Sequence, residues 1–81
     1  MPDSPGIFPF GKMTARDIGD RVRLTRTAQG LRQEDLALAS GVGVRFIHDL
    51  EVGKPSVELG KALAVVEALG LEIRLDESTR P

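Results

Sequence analysis

The stretch GLRQEDLALASGVGVRFIHDLEVGK, residues 30–54, holds two short helical segments separated by a glycine-containing turn. The first runs from Gln33 to Ser40 and offers Leu36, Ala37 and Ala39 for packing before it stops at Gly41. The second runs from about Val44 to Leu50 and buries Ile47 and Leu50, and Gly53 to Pro55 then break the chain. A small side chain at Ala37 lets two helices cross closely, and Gly41 permits a sharp turn at little steric cost. Those are the demands of a helix-turn-helix. Phe46 would be costly on a free surface, so it is expected to be partly buried against neighbouring helices.

Upstream, Thr14 can cap a first helix, with Asp17 three residues on reaching back to complement the positive helix end. Ile18, Val22 and Thr25 recur on one face, Gly30 supplies the left-handed stop, and Leu31 gives the apolar contact that follows it. Downstream, Ser56 is read as the cap of a fourth helix whose stripe is Leu59, Ala62, Leu63, Val66 and Leu69, ending at Gly70. Four short helices joined by tight turns make a compact all-α domain over residues 14–70. Residues 1–13, MPDSPGIFPFGKM, hold three prolines and two glycines and read as an N-terminal arm in which Phe8 and Phe10 are candidate docking groups. After the helices, LEIRLDE at 71–77 alternates like a strand, with Leu71, Ile73 and Leu75 on one side and Glu72 and Arg74 on the other; residues 71–76 form the strand and 77–81 a tail.

Composition narrows the chemistry. With 81 residues there is one domain at most, and so short a chain gains from oligomerisation. There is no cysteine and one histidine, which argues against disulfides, a thiolate enzyme and a dedicated metal site; no cofactor is expected. No segment approaches the roughly 20 apolar residues of a membrane span, so a cytoplasmic protein is expected. The net charge of −1 conceals a gradient: eight basic residues face six acidic ones from Lys12 to Lys54, and three face five afterwards. Mixed charge of this kind often does no more than solvate a surface.

The order Gln33-Glu34, Leu36-Ala37, Gly41, Ile47, Glu51 and Gly53-Lys54 resembles the Cro/lambda-repressor-type, xenobiotic-response-element helix-turn-helix family over about Ile18 to Leu71. The run GVGVRFIHDLEVGKPSVELGKALAVVEALGLEIRL is similar to HipB-type antitoxins, which add a short C-terminal strand to four helices. The resemblance implies that Gln33 contacts a DNA phosphate, that Arg26 and Glu51 clamp the first helix to the end of the recognition helix, and that Lys54 neutralises backbone charge. It also implies that Val44, Arg45, His48 and Asp49 face outward from the recognition helix. Arg32 stands where a threonine or serine usually caps the second helix; it forfeits the cap but adds charge at the DNA face. Gly43 takes a similar cap position before the third helix and lets the backbone approach phosphate.

The side chains support these roles chemically. Arg45 can donate two hydrogen bonds to guanine, and Val44 suits a thymine methyl. Asp49 can accept from cytosine N4, reject a wrong base, or hold Arg45 one turn away, the last being favoured. Gln33 can alternatively cap its own helix, and Lys54 can be ordinary solvated surface; His48 is expected as an exposed polar residue near DNA.

The expectation is a homodimeric repressor that binds a palindromic operator in double-stranded DNA and serves as antitoxin to a HipA-like kinase. The alternatives are a stand-alone regulator without a toxin, or a protein-interaction module that does not bind DNA. No nucleophile and base pair, so an enzyme is the weakest reading. For the strand, antiparallel self-pairing about Ile73 sets Glu72 opposite Arg74 and Leu71 opposite Leu75 of a second copy.

Overall fold

The computed structural model describes residues 13–77. Phe8 and Phe10, and the end of the tail at 78–81, lie outside the described residues. The order is α1 (Ala15–Ala28), α2 (Gln33–Ser40), α3 (Val44–Glu51) and α4 (Leu59–Ala68), an all-α fold.

At the start of α1 the Thr14 hydroxyl accepts from the Asp17 amide at 3.1 Å, and the Asp17 carboxylate accepts from the Thr14 amide at 2.8 Å. Two otherwise orphaned donors are satisfied reciprocally. The same helix ends where Gly30 adopts φ 74°, so that Leu31 can donate its amide back to the Arg26 carbonyl at 3.1 Å. That turn carries the Leu31 side chain onto the core.

Val22, Leu36, Ile47, Leu50, Val65 and Leu69 form the centre, with α1 packed on α3 and α2 packed on both α3 and α4. Fully burying Leu36, Ile47, Val22 and Val65 contributes about 2 kcal/mol each relative to leaving them in water. Phe46 is half-buried against this cluster, which removes the solubility cost of an aromatic on α3.

Three local expectations change. The fourth helix begins at Leu59, with Glu58 in the cap position and no side-chain cap; Ser56 lies in the turn before it. Val57 docks on the core, and the chain must come down to that contact before it can start coiling. The buried stripe of α4 is Ala62, Val65, Val66 and Leu69, while Leu59 and Leu63 are exposed. That set follows the i, i+3, i+4, i+7 pattern, so Leu63 falls on its flank and Leu59 overhangs the edge of the body. On α2 only Leu36 and Ala37 are buried; Ala39 faces solvent.

Residues 71–77 form no strand, and the described residues contain none. Leu71 still packs on the core, but Ile73 is half-exposed and Leu75 is 93% exposed. A lone segment has no neighbour to complete a ladder, and within one chain Arg74 lies 3.7 Å from Asp76 instead.

Candidate nucleic-acid interface

Helix α3 carries two carboxylates, Asp49 and Glu51, that lie on different faces. Glu51 points inward. Arg26 grips it with two hydrogen bonds, Nε to Oε2 at 2.6 Å and Nη2 to Oε1 at 3.0 Å, and donates a third from Nη1 to the Leu31 carbonyl at 2.9 Å. Gln33 completes the group by donating Nε2 to Glu51 Oε1 at 3.0 Å. The side chains of Arg26 and Glu51 are 12% and 4% exposed, so the pair is screened little by water. The hydrogen bond and charge of Glu51 push the Arg26 guanidinium above its ordinary value, against the opposing effect of burial. One constellation thus ties α1, the first turn of α2 and the last residue of α3 together.

This geometry changes how Gln33 is read. Its side chain neither caps α2 nor is free, because one amide hydrogen is committed to Glu51 and only the second can serve another acceptor. Beside it opens a cleft of about 400 Å³ lined by Arg16, Asp20, Arg23, Arg26, Gln33 and Glu51. Arg16 and Arg23 were not singled out from the sequence, although their spacing of seven with Asp20 between them places all three on one helix face. Gly19 was also overlooked. A Cβ there would stand 2.8 Å from the Glu51 carbonyl oxygen, so its absence is what lets α1 lie against the end of α3. A glycine inside a helix costs about 1 kcal/mol in propensity, and that misfit was the available signal.

The outward face of α3 is different in kind. Val44, Arg45 and His48 are exposed, and Asp49 sits half-buried at their base. Arg45 donates Nε to Asp49 Oδ1 at 3.2 Å, His48 Nδ1 lies 3.5 Å from the same oxygen, and Lys54 Nζ lies 3.8 Å from Oδ2. Burial would push the Asp49 carboxyl up, but Arg45, His48 and Lys54 together hold it below its ordinary value. The structure therefore brings two base-facing candidates, Arg45 and His48, and one phosphate candidate, Lys54, onto a third base-facing candidate, Asp49.

Arg32 is exposed at the start of α2 and makes no side-chain cap. The Asp35 carboxylate accepts from the Arg32 amide at 2.8 Å and from its guanidinium at 3.2 Å, which lowers the Asp35 pKa and raises that of Arg32. One half of a capping box is therefore present, the half that an acid three residues later supplies. Gly43 opens α3 with φ −77° and ψ 155°, and open space surrounds the position of a Cβ. Neither strain nor packing demands glycine there. Among the described residues no cluster of His, Cys, Asp and Glu could hold a metal, and no helix is long and apolar enough to cross a membrane.

A family model described as helix-turn-helix matches residues 22–75, which spans α2, its three-residue turn and α3. The chain belongs to the helix-turn-helix family, in its xenobiotic-response-element branch. This helix-turn-helix protein is 53% identical over 60 residues to the uncharacterized HTH-type transcriptional regulator y4mF of Sinorhizobium fredii, covering 74% of this chain and 79% of that one. Its fold is like that of a solved structure described as a HipB–O4 20mer complex, with TM-score 0.74 and 21% identity over 86% of this chain and all of that one. A structure described as MDT protein superposes equally well, with TM-score 0.75 and 21% identity over the same 86%.

Proposed function

We propose that this helix-turn-helix protein is a transcription regulator that binds double-stranded DNA through α3, as a homodimer on a palindromic operator. The observation that carries the reading is the exposed row Val44, Arg45 and His48 on α3, flanked by Arg32 at the start of α2 and Lys54 after α3. Arg45 is 84% exposed and bonded to Asp49 only through Nε, so its two terminal amino groups stay free for guanine O6 and N7. Arg32, Lys54, the backbone at Gly43 and the uncommitted amide hydrogen of Gln33 are the phosphate contacts that set register. A relative named as an HTH-type transcriptional regulator, 53% identical over 60 residues, supports the assignment.

Dimerisation supplies the second reading helix, set about 34 Å from the first on successive major grooves. The exposed Ile73 and Leu75 support self-pairing of 71–76, in the register that sets Glu72 against Arg74 and Leu71 against Leu75 of the second copy. The finer role is that of an antitoxin to a HipA-like kinase, supported by the similarity of residues 41–75 to HipB-type antitoxins.

The test is binding of the purified protein to its own promoter fragment. Salt-dependent binding that Arg45→Ala reduces to the level of random DNA, while helix content is retained, supports base reading. Equal affinity for promoter and random DNA in both proteins refutes it. A monomer at micromolar concentration refutes the strand pairing, and failure of the chain's genomic neighbour to co-purify refutes the antitoxin role.

A further inference from the structure

An acid at the centre of a surface that meets DNA calls for an explanation. Phosphates repel it, and the major-groove edges of guanine and thymine present acceptors, leaving only cytosine N4 and adenine N6 as donors for a carboxylate. Yet Asp49 is only 19% exposed and stands beneath the side chains that reach outward. Its two oxygens are already turned to protein groups: Oδ1 to Arg45 Nε and His48 Nδ1, and Oδ2 to Lys54 Nζ. These three groups span both kinds of contact, base-reading from Arg45 and His48 and backbone from Lys54.

We propose that Asp49 is a specificity gate, which holds Arg45 back from the DNA phosphates while leaving it presented to a matching guanine. The inference rests on the DNA-binding reading above. The geometry makes the gate selective. Because Asp49 takes Arg45 by Nε, the guanidinium keeps its two outer amino groups aimed away from the protein, the arrangement that guanine accepts. A cognate guanine can be bound without breaking the bond to Asp49. On non-cognate DNA the gain must come from phosphates, and swinging Arg45 across to them takes the closest partner from the carboxylate beside a polyanion. Like charges brought together in that way oppose binding. Asp49 thus subtracts more from random-sequence affinity than from cognate affinity.

The experiment compares the full chain with Asp49→Asn and Asp49→Ser, each titrated with the promoter fragment and a scrambled duplex of equal length over a series of salt concentrations. Both substitutions remove the charge at a partly exposed position, and circular dichroism with a denaturant titration establishes that each is folded. The expected result, common to both variants, is about tenfold tighter binding to scrambled DNA, with a smaller change on the promoter and a lower promoter-to-scrambled ratio. The log–log salt slope on scrambled DNA should steepen by about one, as a freed cation reaches a phosphate. Loss of promoter affinity with scrambled binding unchanged would overturn the gate and make Asp49 a base acceptor. No change on either DNA would overturn it in favour of a solvated acid. If the wild-type chain shows no salt-dependent binding to any duplex, the DNA-binding reading fails first and the gate fails with it.

Discussion

The two carboxylates of α3 stand two residues apart, and each gathers an arginine and a further polar partner. Glu51 is enclosed: its arginine comes from α1, its glutamine from α2, and both of its oxygens are hydrogen-bonded at 2.6–3.0 Å. Asp49 is at the surface: its arginine comes from its own helix, one turn before it, and its contacts lie at 3.2–3.8 Å. Similar chemistry serves opposite ends. Around Glu51, partners from different helices fix the tertiary arrangement, because leaving either charge alone in the interior is costly. Around Asp49, solvent weakens each contact, so these pairs contribute little to holding the fold together. Burial therefore decides which arginine holds the fold together and which is available to a ligand.

Removing one member of the inner group should have the largest effect. Arg26→Met keeps much of the side-chain volume but leaves Glu51 buried with Gln33 as its remaining partner, and it should destabilise the protein by about 3 kcal/mol. A fall in the urea midpoint with the slope unchanged is the measurement; a midpoint equal to wild type would show that the inner pair contributes nothing. Gln33→Ala is next. It removes one hydrogen bond to a charged group and should cost about 1.5 kcal/mol on the same measurement. Arg45→Ala should leave that midpoint in place while it alters DNA binding, which is the contrast in its plainest form. A stability loss as large as that of Arg26→Met would erase the distinction between the two groups.

Acid provides the smallest and most selective probe. The folded Asp49 carboxyl is held below its ordinary value, so its contribution is present in full above about pH 4, the range of an unfolded aspartate, and is lost as pH falls through the lower folded value. The stability difference between wild type and Asp49→Asn should therefore shrink as pH falls below about 4, read by denaturant titration at each pH. A difference that grows on acidification would mean that the outward cations do not hold the carboxylate.

Much of the helical framework was legible because its signals are local. Thr14 with Asp17, Gly30 before Leu31, and the spacing of Leu36, Ala37, Ile47 and Leu50 each act within a turn or two of chain. The errors arose where a distant contact overrode a local preference. Ser56 is a good capping residue, but the docking of Val57 moved the helix start to Leu59. Leu59 and Leu63 fit an apolar stripe on paper, yet the face that α2 covers is set by Val65. The placement of Arg16, Arg23 and Gly19 beside Glu51 depends on where α3 ends in space, which no window along α1 contains.

The sequence by itself determined that this is a four-helix protein with a glycine turn between α2 and α3, and it marked which side chains on α3 are polar. Capping, turn chemistry and helical period need only near neighbours in the chain. Only the tertiary structure decided how deeply those polar side chains are buried and how closely they are held. The pairing of Arg26 with Glu51, 25 residues apart, and the gathering of Arg45, His48 and Lys54 around Asp49 depend on burial and on helix crossing. Both are properties of the assembled core, where the dielectric and the distances that set electrostatic strength are established.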